Sequence, residues 1–73
     1  MRLRELEVGA LARVTAVRSE GAMALRLREL GLREGETVAC VGVSPLGDPR
    51  AYRICGAIIA LRNADADTVE VEV

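Results

Sequence analysis

Apolar and acidic residues alternate strictly at the end of the chain. Val69, Val71 and Val73 alternate with Glu70 and Glu72, and a period of two places the three valines on one face of a strand. The pattern therefore predicts a β-strand over residues 68–73 with one buried face.

Four earlier stretches also predict strands, because they mix apolar, small and β-branched residues and are bounded by turn residues. They cover residues 11–18, 36–43, 50–55 and 57–61. In the first of them, we expect Leu11, Val14 and Val17 to supply the buried side chains.

Residues 22–30 have the period of a helix. They are strong helix formers, and Met23, Leu27 and Leu30 are spaced so that they share one helical face. Gly31 directly follows, at the position where helices commonly end on glycine. The sequence therefore predicts one short helix that ends at Gly31.

Turn-forming residues separate these elements. The sharpest break surrounds Leu46, because Pro49 keeps Asp48 out of the α region and Gly47 can adopt a positive φ. Pro45 has no N–H to contribute to a strand ladder. The residues assigned to structural turns are Gly31, Gly35, Pro45, Gly47, Asp48 and Pro49.

Five short strands and one helix predict a mainly β fold. The later connections are too short for the crossovers that a parallel sheet requires. A chain of 73 residues can build only one small core, so we expect a single domain over residues 1–73. A small five-stranded antiparallel barrel suits this length, because closure leaves few strand edges unpaired.

The two strands around Leu46 should pair so that their apolar residues face each other. If Val41 and Val43 face the core, the matching residues on the opposite strand are Ile54 and Tyr52. The alternative register would place Arg53 against the valines. We therefore predict that Val41 pairs with Ile54 and Val43 with Tyr52, unless a bulge intervenes.

This register would also place the two cysteines of the chain opposite each other. Cys40 and Cys55 would then lie on neighbouring strands, on the face away from the core. We expect two reduced thiols rather than a disulfide, because the cytosol is reducing.

The charge composition argues against a nucleic-acid partner. Ten arginines face eleven acidic residues, which gives a net charge of −1, whereas nucleic-acid binders usually carry a basic excess. Tyr52 is the only aromatic residue, so platforms on which bases could stack are lacking. We expect no nucleic-acid binding.

The residues that usually perform catalysis or hold metals are scarce. The chain has no histidine and no lysine, and its two cysteines and scattered carboxylates do not match metal-ligand spacings. We expect no enzymatic activity, no cofactor and no metal site.

Charges at positions 2, 4, 5 and 7 leave no signal-peptide apolar segment, and no apolar run approaches the ~20 residues of a membrane span. A cytoplasmic location follows as an expectation.

Several motifs together resemble one known family. They are RLRELGL at 26–32, Glu34-Gly35, PLGDP at 45–49, Gly56, IALR at 59–62 and the valine-rich final strand. In this order and spacing the chain resembles the family of ferrous iron transport protein A (FeoA), over nearly its whole length. The resemblance implies an SH3-like barrel that acts on the cytosolic part of the ferrous iron permease, the membrane GTPase FeoB.

Four residues are candidates for binding a partner. Leu27 lies between Arg26 and Arg28 and could be an apolar anchor at the rim of the barrel, a favoured interface composition. Leu46, at the tip of a turn, either folds back on the barrel or contacts a partner. For Met23 and Leu30, a place in the core is the simpler interpretation.

Two functions are compatible with these sequence features. The first is a small accessory protein that binds and modulates a ferrous iron permease in ferrous iron uptake. The alternative is a stand-alone SH3-like regulatory module similar to the C-terminal domain of metal-dependent repressors. Weak association between copies of the chain is compatible with both functions.

Overall fold

The computed structural model describes all residues, 1–73. Its strands are β1 (Leu11–Val17), β2 (Thr37–Val43), β3 (Arg50–Ile54), β4 (Ala57–Leu61) and β5 (Val69–Glu72). Its helices are α1 (Gly21–Glu29), α2 (Asn63–Ala66) and a single 3-10 turn over Leu3–Glu5. Each strand lies within the stretch that the sequence predicts for it.

The five strands form one antiparallel sheet in the order β4-β3-β2-β1-β5. The N-terminus continues this sheet beyond β5, because the Val71 N–H donates to the Met1 carbonyl over 2.8 Å. The prediction of a mainly β fold with five antiparallel strands and a short helix is confirmed. The four-residue helix α2 is an addition that the sequence pattern did not indicate.

The core draws on every strand, on α1 and α2 and on the N-terminal segment, and it contains no charged side chain. Burial of a single large apolar side chain contributes about 1.5–3 kcal/mol, so this cluster is the main source of stability. Its members are Leu3, Leu6, Ala12, Val14, Leu27, Leu32, Val38, Cys40, Tyr52, Ile54, Leu61, Ala66, Val69 and Val71.

One leucine and one valine are more exposed than the sequence pattern predicts. Leu11 is 62% exposed, because the inward positions of β1 are Ala12 and Val14. A β-bulge between Val14 and Ala16 then changes the alternation. Val73 follows the end of β5 and is exposed. The expectation that Leu11 and Val73 lie on buried faces is therefore wrong.

The predicted pairing of β2 with β3 is also wrong. Val38 lies opposite Ile54 and Cys40 lies opposite Tyr52, and all four side chains are buried. The register is therefore shifted by three positions from the prediction. Tyr52 and Ile54 do face the core, but their partners come from earlier in β2.

A β-bulge explains the shift. The pairing slips between Cys40 and Gly42, so Val41 is the extra residue, and Val43 then lies opposite Arg50. Val41 is half-buried and Val43 is exposed. One additional residue in a strand moves the following side chains off the core face, which the apolar pattern of β2 could not reveal.

The cysteines are consequently not opposite each other. Cys40 is buried in the core, whereas Cys55 is exposed in the turn between β3 and β4, and both are free thiols. Ile54 pairs with Ala57 across this two-residue turn, and Cys55 and Gly56 have φ values of 50° and 78°. Two consecutive positive φ values define a type I′ hairpin turn.

Helix α1 is terminated at Gly31, as the sequence predicts. Gly31 has a φ of 108°, its N–H donates to the Arg28 carbonyl, and the Leu32 N–H donates to the Leu27 carbonyl, both over 3.0 Å. These two hydrogen bonds form a Schellman motif, which requires the left-handed conformation that glycine adopts without strain.

Candidate functional site

A cleft of about 350 Å³ lies between α1, the loop at residues 44–49 and the start of α2. We call it the helix–loop cleft. Residues from α1, β4 and α2 meet there because the chain returns to the same end of the sheet after the β2–β3 and β3–β4 turns. It is lined by Met23, Arg26, Leu27, Pro49, Ala60, Leu61, Arg62 and Asp65.

Hydrogen bonds hold the loop in one conformation beside this cleft. Within the loop, the Gly47 N–H donates to the Ser44 carbonyl over 2.8 Å. Asn63 then fixes it to α2, because its side-chain amide donates to the Gly47 carbonyl and its backbone N–H donates to the Asp48 carboxylate, both over 2.9 Å.

The Asp48 carboxylate thereby satisfies a backbone N–H at the start of α2. The residue preceding this helix, Arg62, offers no side-chain cap, and the unpaired N–H groups of a helix start favour a nearby carboxylate. A loop residue thus replaces a local cap, which links the loop to the helix.

Leu46 projects from the tip of this loop into solvent. Its side chain is 95% exposed, and it does not fold back on the barrel. Since the hydrogen bonds of Asn63 order the loop, the exposed leucine is presented at a defined position, three residues before Pro49, which lines the helix–loop cleft.

Leu27 does not lie at the rim. It is 0% exposed and belongs to the core, so the expectation that it is an exposed anchor between two arginines is corrected. The reason is that Leu27 packs within the core cluster, whereas Met23, one turn earlier on the same face, is 37% exposed. Met23 therefore supplies the exposed apolar side chain that α1 contributes to the cleft, whereas Leu25, which is 60% exposed, does not line it.

The cleft is rimmed by positive charge. Arg26 and Arg62 line it with Asp65 as the only acidic residue, and neither arginine forms an ion pair. Arg28 is exposed on α1 and does not line the cleft. The ion pairs of the molecule lie elsewhere: Arg2 and Arg4 with Asp67, and Arg18 with Glu70.

Arg62 has a backbone role at this site. Its carbonyl accepts hydrogen bonds from the N–H groups of Asp65 and Ala66, both over 3.0 Å, so it begins α2. Its side chain forms no ion pair with Asp65, and the carboxylate of Asp67 is paired with Arg2 and Arg4.

Two titratable side chains in and directly after β3 have pKa values raised by their surroundings. Burial raises the pKa of Tyr52 to about 12, and Cys40 lies inside the core beside it. Burial and the neighbouring carboxylate of Glu36 raise the pKa of the exposed Cys55 thiol, which reduces its thiolate fraction at neutral pH.

No group of three or more histidine, cysteine, aspartate or glutamate residues could hold a metal ion. None of the helices has the length and apolar character needed to cross a bilayer.

The structure brings together some of the predicted site residues and separates others. Arg26 and Pro49, from the two predicted segments, share the cleft, whereas Leu46, in the same loop as Pro49, does not line it. Ala60, Arg62 and Asp65 were missed, because they approach the cleft only through the fold of β4 and α2.

The comparisons with known proteins agree on one family. The FeoA domain model matches residues 1–73. The chain is 40% identical over 72 residues to a fusion of Fe(2+) transport protein A with the Fe(2+) transporter FeoB from Porphyromonas gingivalis. This match covers 99% of the chain and 8% of the length of the fusion protein.

Solved structures of similar proteins have the same fold. Iron(II) transport protein A from Clostridium thermocellum is 38% identical with a TM-score of 0.96, over 100% of this chain and 45% of that one. A zinc-complexed FeoA from Stenotrophomonas maltophilia, described as a prokaryotic SH3 domain protein, is 37% identical with a TM-score of 0.88, over 99% and 89%. At 22% identity, IdeR of T. acidophilum shares the fold alone, with a TM-score of 0.87 over 100% of this chain and 33% of that one.

Proposed function

The chain belongs to the FeoA family of ferrous iron transport, and from this premise we propose that it is a cytoplasmic accessory domain that docks on the cytosolic part of an FeoB-type ferrous iron permease. In this proposal the helix–loop cleft and Leu46 form the docking surface. The domain acts by binding and modulating the permease, without a cofactor or a reaction of its own.

The fusion protein of Porphyromonas gingivalis is the observation that carries the proposal. In it, a segment 40% identical to this chain is part of one polypeptide with an FeoB transporter. Covalent linkage keeps two domains at a high effective concentration, which favours even a weak contact between them.

Leu46 supplies the apolar anchor that such a surface needs. Its side chain is 95% exposed, and removal of a leucine side chain from water contributes about 1.5–3 kcal/mol. The hydrogen bonds of Asn63 to the loop reduce the conformational entropy that docking would cost. Most exposed residues at an interface contribute little, and a few anchors dominate.

The arginines around the cleft supply the polar part of the surface. Arg26, Arg28 and Arg62 form no ion pair within the chain, so their guanidinium groups are available to a carboxylate of the permease. Charges at an interface mainly set the association rate and the orientation of the partner. Arg26 and Arg28 are accordingly assigned to steering, and Leu46 to affinity. Leu27 supports the helix from the core.

The alternative is a regulatory module of the metal-dependent repressor type. The likeness to IdeR at 22% identity supports a shared fold and no more than that. A repressor module would associate with a soluble DNA-binding protein, whereas an accessory protein of iron uptake would associate with the permease. Co-purification from cells that express both partners distinguishes the two functions.

The direct test uses the purified domain and the purified cytosolic part of the permease. Leu46→Ala should weaken binding by about tenfold or more, the size expected for an interface anchor. Leu25→Ala is the matched control, because Leu25 is also exposed but belongs to α1 and is not part of the proposed docking surface. Equal binding by the wild type and Leu46→Ala would contradict the assignment of Leu46. An absence of wild-type binding would contradict the proposed function.

A further inference from the structure

A row of four paired residues crosses four strands on the outer face of the sheet, and all of them except Arg53 are apolar. Leu11 pairs with Ala39, Ala39 with Arg53, and Arg53 with Ile58. Directly opposed residues in an antiparallel sheet share a face, and this face is the one opposite the core residues Val38, Cys40, Tyr52 and Ile54. Leu11 and Ile58 are 62% and 67% exposed.

A groove of about 510 Å³ lies along the part of this row formed by Leu11, Ala39 and Arg53, and Ile58 lies next to Arg53 outside the groove lining. We call it the outer groove. Ala39 is only 6% exposed although it points away from the core, so it lies at the bottom of the groove. The rest of the lining comes from Val8, Gly9, Leu11, Cys40, Arg53 and Val41, the bulged residue of β2.

Arg53 is the single charge in this groove, and it has no ion-pair partner. Its guanidinium is exposed, and the ion pairs of the chain involve Arg2, Arg4 and Arg18 only. An unpaired arginine within an apolar groove matches a carboxylate surrounded by apolar side chains on a partner, because exclusion of water strengthens such a charge pair.

The same charge argues against a second copy of the chain as the occupant. A symmetric dimer centred on the outer groove would apply the same patch from both copies and would bring two Arg53 side chains together. Like charges enclosed at an interface repel each other. The occupant is therefore a different protein with an acidic residue in an apolar segment.

The helix–loop cleft alone is too small to form a stable interface. A specific interface typically covers about 800 Å² and 20–30 residues on each partner, whereas only eight residues line the cleft. Ala60 lines the cleft and pairs with Ala51, which in turn pairs with Gly42 on the outer face. These small residues allow close approach and extend the cleft towards the outer groove.

We infer that the permease which docks at the helix–loop cleft also occupies the outer groove, with an apolar segment whose aspartate or glutamate side chain pairs with Arg53. This inference rests on the proposed function and adds the second contact and the chemistry of the segment that makes it. Ile58, beside Arg53, packs against the apolar part of that segment.

The test measures dissociation of the domain from the immobilised cytosolic part of the permease. Arg53→Glu should raise the dissociation rate by tenfold or more, because a charge pair enclosed at an interface acts mainly on dissociation. Ile58→Ser should also accelerate dissociation. Arg33→Glu is the matched control: it makes the same charge change in the turn after α1, outside both surfaces, and should alter only the salt-sensitive association rate.

A charge exchange identifies the partner residue. Each aspartate and glutamate of the permease fragment is changed to arginine in turn, and one of these variants should restore slow dissociation with Arg53→Glu. Thermal unfolding of Arg53→Glu and Ile58→Ser should match the wild type, because both side chains are exposed.

The outcomes separate the two proposals. If Leu46→Ala weakens binding while Arg53→Glu and Ile58→Ser leave the dissociation rate unchanged, the inference is overturned and the proposed function stands. If the wild type does not bind the fragment at all, both are overturned. Sedimentation of a wild-type dimer that Ile58→Ser converts to a monomer would assign the outer groove to a second copy and overturn the inference.

Discussion

The guanidinium group of Arg50 donates a hydrogen bond to the backbone carbonyl of Leu6 over 2.6 Å. A second nitrogen of the same group donates to the carbonyl of Arg4. One side chain on β3 therefore fixes the N-terminal segment, whose Leu3 and Leu6 fill part of the core. The planar guanidinium can reach both carbonyls at once, which a lysine could not.

Replacement of Arg50 should destabilise the fold. Arg50→Met keeps the aliphatic length but leaves the Leu6 carbonyl without its donor, at a cost of about 1–3 kcal/mol in the free energy of unfolding. Arg53→Met is the control on the same strand, and because Arg53 is exposed it should change stability by less than about 0.5 kcal/mol. Urea denaturation measures both, and similar midpoints for the two variants would contradict this role of Arg50.

Removal of the Asp48 carboxylate should free the loop that carries Leu46. Asp48→Ala removes the acceptor for the Asn63 N–H and should cost about 1 kcal/mol, as for other lost helix caps. Asp48→Asn retains an acceptor oxygen and should be milder. Hydrogen exchange at the Asn63 amide reports the effect, and unchanged protection in Asp48→Ala would show that other contacts hold the loop.

The hairpin turn after β3 offers a stabilising substitution. Cys55 has a φ of 50°, in a region that asparagine adopts more readily than most residues and that β-branched residues avoid. Cys55→Asn should therefore raise the free energy of unfolding by about 0.5 kcal/mol, and Cys55→Val should lower it by about 1 kcal/mol. Thermal unfolding of the pair tests the sign, and a stability order opposite to this one would contradict the turn assignment.

Acid should weaken the attachment of the N-terminal segment to α2. A hydrogen bond from Arg4 and the charges of Arg2 and Arg4 hold the pKa of Asp67 below its ordinary value of 3.8. A depressed pKa in the folded state contributes stability above the unfolded pKa, and that contribution is lost as the pH falls through the lower folded value. The melting temperature of the wild type should thus fall below about pH 4 more steeply than that of Asp67→Asn. Parallel curves for the two proteins would show that this ion pair contributes nothing to folding.

The local elements could be predicted because their causes are local. The alternation of valine and glutamate marked β5, and the Leu27 and Leu30 spacing followed by Gly31 marked α1 and its end. Turn chemistry at Pro45–Pro49 separated β2 from β3. The motifs that these elements carry also indicated the FeoA family, which the match over residues 1–73 confirms.

The candidate site was predicted only in part. Arg26 and the loop around Leu46 do approach each other, but Leu27 is buried because the packing of α1 against the core decides which side of the helix is covered. Ala60 and Arg62 join the site through the return of the chain after β4. Neither the packing of α1 against the core nor the return of the chain after β4 can be predicted from the local sequence pattern.

By itself, the sequence determined where the strands, the turns and the main helix lie. Backbone preferences, and the apolar periods of two in strands and 3.6 in helices, depend only on residues that are close together in the chain. Only the tertiary structure decided the register of β2 against β3, the burial of Cys40 and the exposure of Leu11. A single bulged residue such as Val41 exchanges the two faces of a strand. Which residue bulges depends on the fit of side chains across the whole core, where contacts between distant parts of the chain outweigh the local pattern.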